Sequence, residues 1–449
     1  GDVVVIRHQN HAENGQIAMT KCIFQGTEVS RRTISVRNGE LLLEECILQN
    51  YRAVELGCSI VYINAAAKLT LRECVFQAND CGLVEAIDTP VDIQSSVFGA
   101  NNCIGRSFSN TLVYQGGNCS IEVYSSQFLA NQGSAVSTLG NLVVTGCVLD
   151  GGDTGNAGGV SASGNLTVMD SQFFRLDVAI QGGFPGWPSA MSIERCAIAW
   201  NESGVSFGGD GDLSIKDSSV TDNIRWGIFG SGATHIIEDC EFLRNGTALG
   251  VFGSQGTSCE LRRILVEDNE GGLDISCDSA DIEDCSILRN TTFGIDLRVD
   301  SIRMNNCLIE ANGGEGNRIE AVDWDVQQCT FEANRSSGSG GGLAVAGENV
   351  LLQACNFSGN RSDRSGGAIW LEGGSLELRD STILGNNAEI DGGGVGCYGH
   401  LVARNTTVEG NSADGDGGGI RCSGNLVAIG TTVEGNSAGG YGGGIRVAG

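Results

Sequence analysis

The amino-acid sequence predicts an all-β fold, a single-stranded parallel β-helix with about eighteen coils of about 24 residues each. Three observations predict it. A six-residue pattern recurs along the chain, alternating apolar runs precede many of its copies, and 69 glycines occur with only 3 prolines. Many glycines without prolines favour tight turns between short strands, and a repeat of this length is typical of solenoids.

The six-residue pattern consists of a small residue, any residue, a large apolar residue, two variable residues and Asn. Residues 74–79 (CVFQAN) show it in full. Its apolar position recurs from Phe24 to Val433, and we assign Phe174 to it in the coil where Phe173 competes. The preceding runs alternate apolar and polar residues, as strands with one buried face do. Each coil should therefore hold about three short strands.

Strands of one coil point in different directions, so each must pair with the equivalent strands of the neighbouring coils, in parallel ladders. The repeat predicts one continuous β-helix over residues 1–449 and not several compact domains. Longer steps in the repeat, from residue 48 to 76 and from 98 to 128, predict loop insertions near residues 50–70 and 105–120, and a further insertion is expected near residues 150–192. Residues 335–449 should form the most regular coils, which are rich in glycine.

The Asn position of the pattern predicts a structural ladder at one corner of the helix. Asn tolerates the left-handed backbone that a tight corner needs. Its amide has both donors and an acceptor, so it can bond to the turn backbone and to the Asn of the next coil. The predicted ladder consists of Asn79, Asn101, Asn131, Asn201, Asn223, Asn245, Asn269, Asn290, Asn312, Asn334, Asn360, Asn386, Asn411 and Asn436.

The small position is occupied by Cys, Ser or Thr, which indicates a limit on size and not a required thiol. Of the 18 cysteines, ten share this position: Cys22, Cys46, Cys74, Cys147, Cys196, Cys240, Cys285, Cys307, Cys329 and Cys355. We expect reduced thiols that face inward. Disulfides between neighbouring coils are the alternative, since the Cα atoms are within reach. The absence of a Cys-x-x-Cys pair and the presence of only 4 His argue against a metal site.

These motifs resemble a known group of proteins. Phe-x-x-Asn, present as FQAN, FGAN, FLAN and FEAN, together with GGAI at 366–369 resembles the repeat of the polymorphic outer-membrane proteins and related bacterial surface β-helices. More broadly, the sequence is similar to the pectate-lyase-like superfamily of right-handed β-helices. The resemblance implies surface display or adhesion. It also implies right-handed coils, which the handedness of parallel crossover connections favours independently.

The net charge and the lack of a long apolar segment restrict the range of possible functions. A net charge of −27 disfavours nucleic acid and anionic membranes as partners. No run of about eighteen apolar residues occurs, so membrane insertion by this segment is not expected. We therefore expect a non-catalytic, extracellular or cell-surface structural or adhesive protein, either a mature or excised segment of a larger surface protein or a filament subunit. Its expected partners are further copies of itself, other surface proteins or glycans.

The alternative function is that of a polysaccharide-active or carbohydrate-binding β-helix. Polygalacturonase-like hydrolases usually show Asn-Thr-Asp, Asp-Asp and His-Gly motifs, and none of the three occurs here. We therefore predict no catalytic residue and no resident cofactor. Turn carboxylates such as Asp210 and Asp212 could hold Ca²⁺ weakly, since carboxylates and turn carbonyls are its preferred ligands.

The loop at residues 181–191 (QGGFPGWPSAM) stands out from the repeat. It holds two of the three prolines together with Phe184 and Trp187. Exposed aromatic rings on a rigid loop suit a sugar ring or a partner surface, so Phe184 and Trp187 are candidate ligand-binding residues. The alternative is that the loop folds its aromatic rings onto the flank of the helix.

Overall fold

The computed structural model describes residues 15–26, 28, 32–55, 57–104, 110–183, 189–253 and 256–448. These residues form strands, turns and bends, and no helix among them is long and apolar enough to cross a membrane. The contacts divide the chain into two units, Gly1–Ile224 and Arg225–Gly449. The prediction of one continuous β-helix stays a prediction.

The first unit consists of three rows of parallel strands. The first row is Arg32–Arg37, Ser59–Asn64, Gly82–Ile87, Thr111–Gly116, Gly133–Thr138, Ala157–Ala162, Val178–Gly182 and Ser203–Phe207. The second row is Gln16–Thr20, Glu40–Glu44, Lys68–Arg72, Val91–Gln94, Ile121–Tyr124, Leu142–Thr145, Leu166–Met169, Met191–Glu194 and Leu213–Lys216. The third row is Ile23–Gln25, Ile47–Gln49, Val75–Gln77, Val97–Gly99, Gln127–Leu129, Val148–Asp150, Gln172–Phe174, Ala197–Ala199 and Ser219–Thr221.

The second unit repeats the three rows and adds a fourth. Its first row is Trp226–Gly230, Thr247–Phe252, Leu343–Ala346, Ile369–Leu371, Val395–Cys397, Ile420–Cys422 and Ile445–Val447. Its second row is Thr234–Glu238, Ser258–Arg262, Asn349–Gln353, Ser375–Arg379, His400–Arg404 and Leu426–Ile429. Its third row is Glu241–Leu243, Leu265–Glu267, Ser286–Leu288, Leu308–Glu310, Thr330–Glu332, Asn356–Ser358, Thr382–Leu384, Thr407–Glu409 and Thr432–Glu434. Its fourth row is Arg335–Ser336, Arg361–Ser362, Asn387–Ala388, Ser412–Ala413 and Ser437–Ala438.

In three consecutive coils of the second unit, the first and second rows merge into single long strands. These three long strands are Gly271–Glu283, Phe293–Asn305 and Gly316–Gln327. They pair in parallel with one another, and the first also pairs with both Thr247–Phe252 and Ser258–Arg262. The corner that is a turn in other coils is therefore continuous strand here.

The predicted all-β solenoid of short parallel strands is confirmed, with about 17 turns of about 24 residues. Pairing in register stacks equivalent side chains, so Phe98 lies against Phe76 and Phe128 with ring centroids 4.9 and 4.5 Å away. The assignment of Phe174 to the inward column is wrong. Phe173 is the buried residue and pairs in register with Leu149 and Ile198, because strand alternation turns Phe174 outward.

The Asn residues of the pattern form hydrogen-bonded stacks inside each unit. The Nδ2 of one Asn donates to the Oδ1 of the Asn in the next coil over 2.9–3.1 Å, as from Asn290 to Asn312. That same Oδ1 also accepts the backbone N–H of the first Asn, at 2.9 Å for this pair. A second Nδ2 donation reaches the carbonyl of the preceding apolar column, 2.8 Å from Asn312 to Ile287. All polar atoms of the buried side chain are thus satisfied.

The left-handed backbone lies one residue earlier than we expected. Ala78, Ala100, Ala311 and Ala333 have φ between 51° and 54°, and each precedes an Asn of the stack. The Asn residues themselves do not have positive φ. Asn is therefore required at the corner for its hydrogen bonds and not for its tolerance of a left-handed conformation.

The cysteines are free thiols, and all but Cys22 and Cys119 are buried. Those of the repeat face inward, and the Sγ of Cys285 donates to the carbonyl of Glu283 over 3.1 Å. Burial raises the pKa of the Cys74 and Cys196 thiols to about 11. They are therefore protonated and unreactive at neutral pH, in agreement with the expected column of reduced thiols.

The regular coils near the end of the chain require glycine for two reasons: a left-handed backbone at one position and a lack of space for a side chain at the next. Gly366 has a φ of 70°, and Gly392 and Gly417 repeat this left-handed conformation in the next coils. A Cβ on Gly367 would lie 2.1 Å from the carbonyl oxygen of Gly393. No larger residue fits at that position without separating the coils.

The Asn stack should contribute strongly to stability. Asn312→Ala would remove the acceptor of both the backbone N–H and the Nδ2 of Asn290, and each buried group left without a partner costs about 1–3 kcal/mol. We expect the free energy of unfolding in urea to fall by at least about 2 kcal/mol. The exposed Asn349, changed to Ala in a control variant, should leave it almost unchanged. Equal stability of the two variants would contradict a stabilising role of the stack.

Candidate functional site

The residues predicted to act in binding are not among those that the structure describes. Phe184 and Trp187 lie outside the described residues. The Asn stack is buried and has its hydrogen bonds satisfied internally, so it offers nothing to a ligand. Any binding site among the described residues must therefore be formed by outward-facing side chains.

The outer surface of the first row in the second unit brings distinctive residues together. We call it the first-row face. Strand alternation directs every second residue of a strand outward, and the parallel register stacks these residues in lines, one of which extends along the whole row. In order, the line is Phe229, Gly250, Asp274, Asp296, Arg318, Ala344, Trp370, Gly396, Arg421 and Arg446.

An aromatic platform lies at one end of the first-row face, formed by Trp226, Phe229 and Phe252. The ring of Trp226 has its centroid 5.4 Å from Phe229 and 6.1 Å from Phe252. A Cβ on Gly250 would lie 2.4 Å from the Trp226 ring, so the ring rests against the bare backbone of the next coil. Phe229 is 37% exposed. The glycine thus fixes the ring position while part of the platform stays open to solvent.

A second aromatic pair lies farther along the same face. The Trp370 ring lies 4.7 Å from Tyr398, edge to face, and Tyr398 is 58% exposed. A Cβ on Gly396 would lie 2.8 Å from the Trp370 ring. Arg421 lies over the Tyr398 ring at 5.9 Å. The arrangement of a ring on a glycine of the next coil therefore occurs twice on this face.

Two stacked carboxylates and an arginine lie between the aromatic groups. Asp274 and Asp296 are partners in register on neighbouring long strands, and their side chains are each 23% exposed. The Arg298 guanidinium lies 2.5 Å from Oδ2 of Asp296 and 3.8 Å from Oδ1 of Asp274. The Oδ1 atoms of both aspartates are buried and accept no hydrogen bond from the described residues.

The surroundings of Asp274 favour its protonated form. Burial, and next the charge of Asp296, raise the pKa of the Asp274 carboxyl, and the Arg298 guanidinium offsets part of the increase. A carboxyl group held in this way keeps its proton to higher pH than an exposed aspartate. A carboxyl group with a raised pKa beside a second carboxylate is a common arrangement for acid–base work.

A groove of about 720 Å³ opens beside the carboxylates and crosses the central part of all three long strands. It is lined by Gly253 and by the segments 276–278, 298–300, 320–322 and 346–348. Four of the lining residues are acidic and one is basic: Asp278, Asp300, Glu320, Glu348 and Arg298. The groove therefore has an excess of negative charge.

The described residues include no group of three or more His, Cys, Asp or Glu side chains that could hold a metal ion. The carboxylates of the face are instead engaged in part by arginines. Arg318 lies 3.2 Å from Glu320, and Arg298 is shared by Asp274 and Asp296.

Comparison with protein families identifies the fold. A family model described as a right handed beta helix region matches residues 183–335 and 321–449, more than half of the 449 residues. The chain belongs to the right-handed β-helix family. The predicted handedness and repeat architecture of this β-helix are thereby confirmed.

Other comparisons add little about this β-helix. No curated protein matches the chain. Among solved structures, it is similar to the A-module of a mannuronan C-5 epimerase from Azotobacter vinelandii, with 16% sequence identity over 92% of this chain and 91% of that chain. The TM-score is 0.19, too low for this likeness to support an argument about function.

The sequence does hold a signal for the carboxylate pair of the β-helix. Gly-apolar-Asp-apolar occurs at 272–275 and again at 294–297, 22 residues later. In a strand, alternation turns this Asp outward, and the coil repeat stacks the two copies. A search limited to the catalytic motifs of other β-helices does not detect this pattern.

The titration of Asp274 should report its surroundings in this β-helix. We expect carboxyl NMR to show a pKa above that of an ordinary aspartate, lowered by Asp296→Asn and raised further by Arg298→Gln. Because the folded state holds this proton more tightly than the unfolded chain does, this group lowers stability as the pH rises through its folded pKa. Glu409→Gln, on the third row, is the control and should leave the Asp274 pKa unchanged. An Asp274 pKa that moves in neither variant would refute this account.

Proposed function

We propose that this protein is a non-catalytic, extracellular or cell-surface β-helix with a structural and adhesive role, and that the first-row face is its adhesive surface. The observation that carries the proposal is the pair of aromatic groups held open on this face against glycines of the next coil, at Gly250 and Gly396. Rigid, partly exposed aromatic rings are typical of binding hot spots.

The scaffold supports a structural role. Within the second unit, first-row strands pair with the coils on both sides, and the Asn stack ties the corners together. A face built in this way keeps its side chains in fixed positions, so binding costs little conformational entropy. Stiffness and a preformed surface are the properties that an adhesive protein needs.

The chemistry of the face favours surface molecules as partners. Aromatic rings next to carboxylates and arginines offer both apolar contact and hydrogen bonds, as sites for glycans and for protein surfaces do. The net charge of −27 disfavours nucleic acid. Glycans, other surface proteins or further copies of the chain are the proposed partners.

The aromatic platform should be essential for adhesion. We expect the wild-type protein to be retained on at least one of a panel of glycan-coated and protein-coated sensor surfaces, and Trp226→Ala to weaken that retention about 30-fold, as the loss of an aromatic hot spot of about 2 kcal/mol does. Trp200→Ala is the matched control, since Trp200 is 58% exposed but belongs to the first unit. Retention that Trp226→Ala leaves intact would contradict the proposed surface.

A polysaccharide-active protein is the second candidate, and the pair Asp274 and Asp296 favours it. Cleavage of a glycosidic bond needs a proton donor and a base or nucleophile, commonly two carboxylates held close together. The raised pKa of Asp274 suits the donor, and Asp296 lies beside it on the next coil. Arg298 contacts both carboxylates and would orient them.

Turnover decides between the two candidates. If the protein is an enzyme, wild type should release reducing ends or unsaturated products from a polysaccharide, and Asp274→Asn should reduce the rate at least about 100-fold, as loss of a general acid does. Glu409→Gln should not change the rate. Binding without any turnover would leave adhesion as the function of the face.

A further inference from the structure

We infer that the first-row face binds a glycan that carries protonated amines, such as a glucosamine oligomer, and that it discriminates against polyuronates. The inference rests on the proposed function, because it names the ligand class of the same face. Its basis is the charge of the groove, the geometry of the aromatic groups and the pairing of the middle long strand on both of its sides.

The excess negative charge of the groove favours a cationic ligand. Among the described residues that line the groove, Arg298 is the basic one, and it is engaged by Asp274 and Asp296. Nearby, Arg318 pairs with Glu320. Asp300 and Glu348 are exposed at the groove and form no ion pair with the described residues. The ligand would therefore meet carboxylates whose charge the protein does not balance.

Ammonium groups and carboxylates form charge-assisted hydrogen bonds, which are stronger than neutral ones. The faces of Trp226 and Trp370 add to this, because aromatic rings attract cations within about 6 Å of their centroids. A polyuronate would bring its own carboxylates against those of the groove, and the net charge of −27 would repel it at longer range.

The pairing of the backbone argues for a glycan and against a peptide. Extended peptides usually dock by adding a strand to an open sheet edge. Along the first-row face, the strand Phe293–Asn305 pairs with Gly271–Glu283 on one side and with Gly316–Gln327 on the other. The middle long strand of the face therefore presents side chains and no open edge, which suits a ligand that binds through ring faces, hydroxyls and amines.

The spacing of the aromatic groups indicates a polymer and not a single sugar. Six coils separate the strand of Phe229 from the strand of Trp370. At about 4.8 Å per coil, the two aromatic groups are about 29 Å apart along the second unit. An extended oligosaccharide could contact both groups and cross the groove between them.

The test compares four probes of equal length by isothermal titration calorimetry: a glucosamine hexamer with free amines, the same hexamer fully N-acetylated, a galacturonic acid hexamer and a lysine hexapeptide. We expect the free-amine hexamer to bind at least about tenfold more tightly than any other probe, and added salt to weaken it. The double variant Asp300→Asn/Glu348→Gln should lose this preference. Trp226→Ala should weaken the binding of both glucosamine hexamers.

Controls separate charge at the groove from charge elsewhere. Glu409→Gln/Glu434→Gln removes two exposed carboxylates of the third row and should not change binding. Equal or tighter binding of the N-acetylated or uronate hexamer would overturn the inference and leave the adhesive function standing. Equal binding of the lysine peptide would show that charge alone is recognised and would also overturn it. If no probe binds and Trp226→Ala leaves surface retention intact, both proposals are wrong.

Discussion

Parallel pairing in register between successive coils is the constraint on which the rest of each unit depends. The strand backbone of one coil forms its ladder hydrogen bonds with the coils next to it, so equivalent residues lie one above another. A shift by one residue would turn every inward side chain outward. This is why Phe98 stacks between Phe76 and Phe128, and why the amide of one Asn meets that of the next.

The same constraint acts less strongly on the outward-facing residues of the first-row face, so these positions can differ from coil to coil. Inside, each position must suit its neighbours above and below, which restricts the columns to a few residue types. On the outer face, a large side chain needs space above the neighbouring coil, and a glycine in that coil provides the space. Gly250 beneath the Trp226 ring and Gly396 beneath the Trp370 ring show how two coils together form a contact that neither could form alone.

The interior of the fold could be predicted from the sequence because its signal is repeated. Cys74, Phe76 and Asn79 belong to a pattern that recurs often enough to fix strand direction, burial and coil length. The reason for Asn at the corner was partly wrong, since Ala78 has the left-handed conformation and Asn79 supplies hydrogen bonds. Repetition identifies the columns, but it does not say which residue of a turn bears which backbone angle.

The candidate site could not be predicted in the same way, because an outward aspartate looks like any solvated residue. What distinguishes Asp274 is its neighbour Asp296, 22 residues away, and Arg298 beside both. The Oδ1 atoms of the two carboxylates are buried and accept no hydrogen bond from any residue that the structure describes, which costs up to about 1–3 kcal/mol for each atom. Departures from local rules of this kind are expected at functional sites. The two carboxylates thus differ from the fully hydrogen-bonded Asn stack of the same unit, which is one reason to test the first-row face as a functional surface.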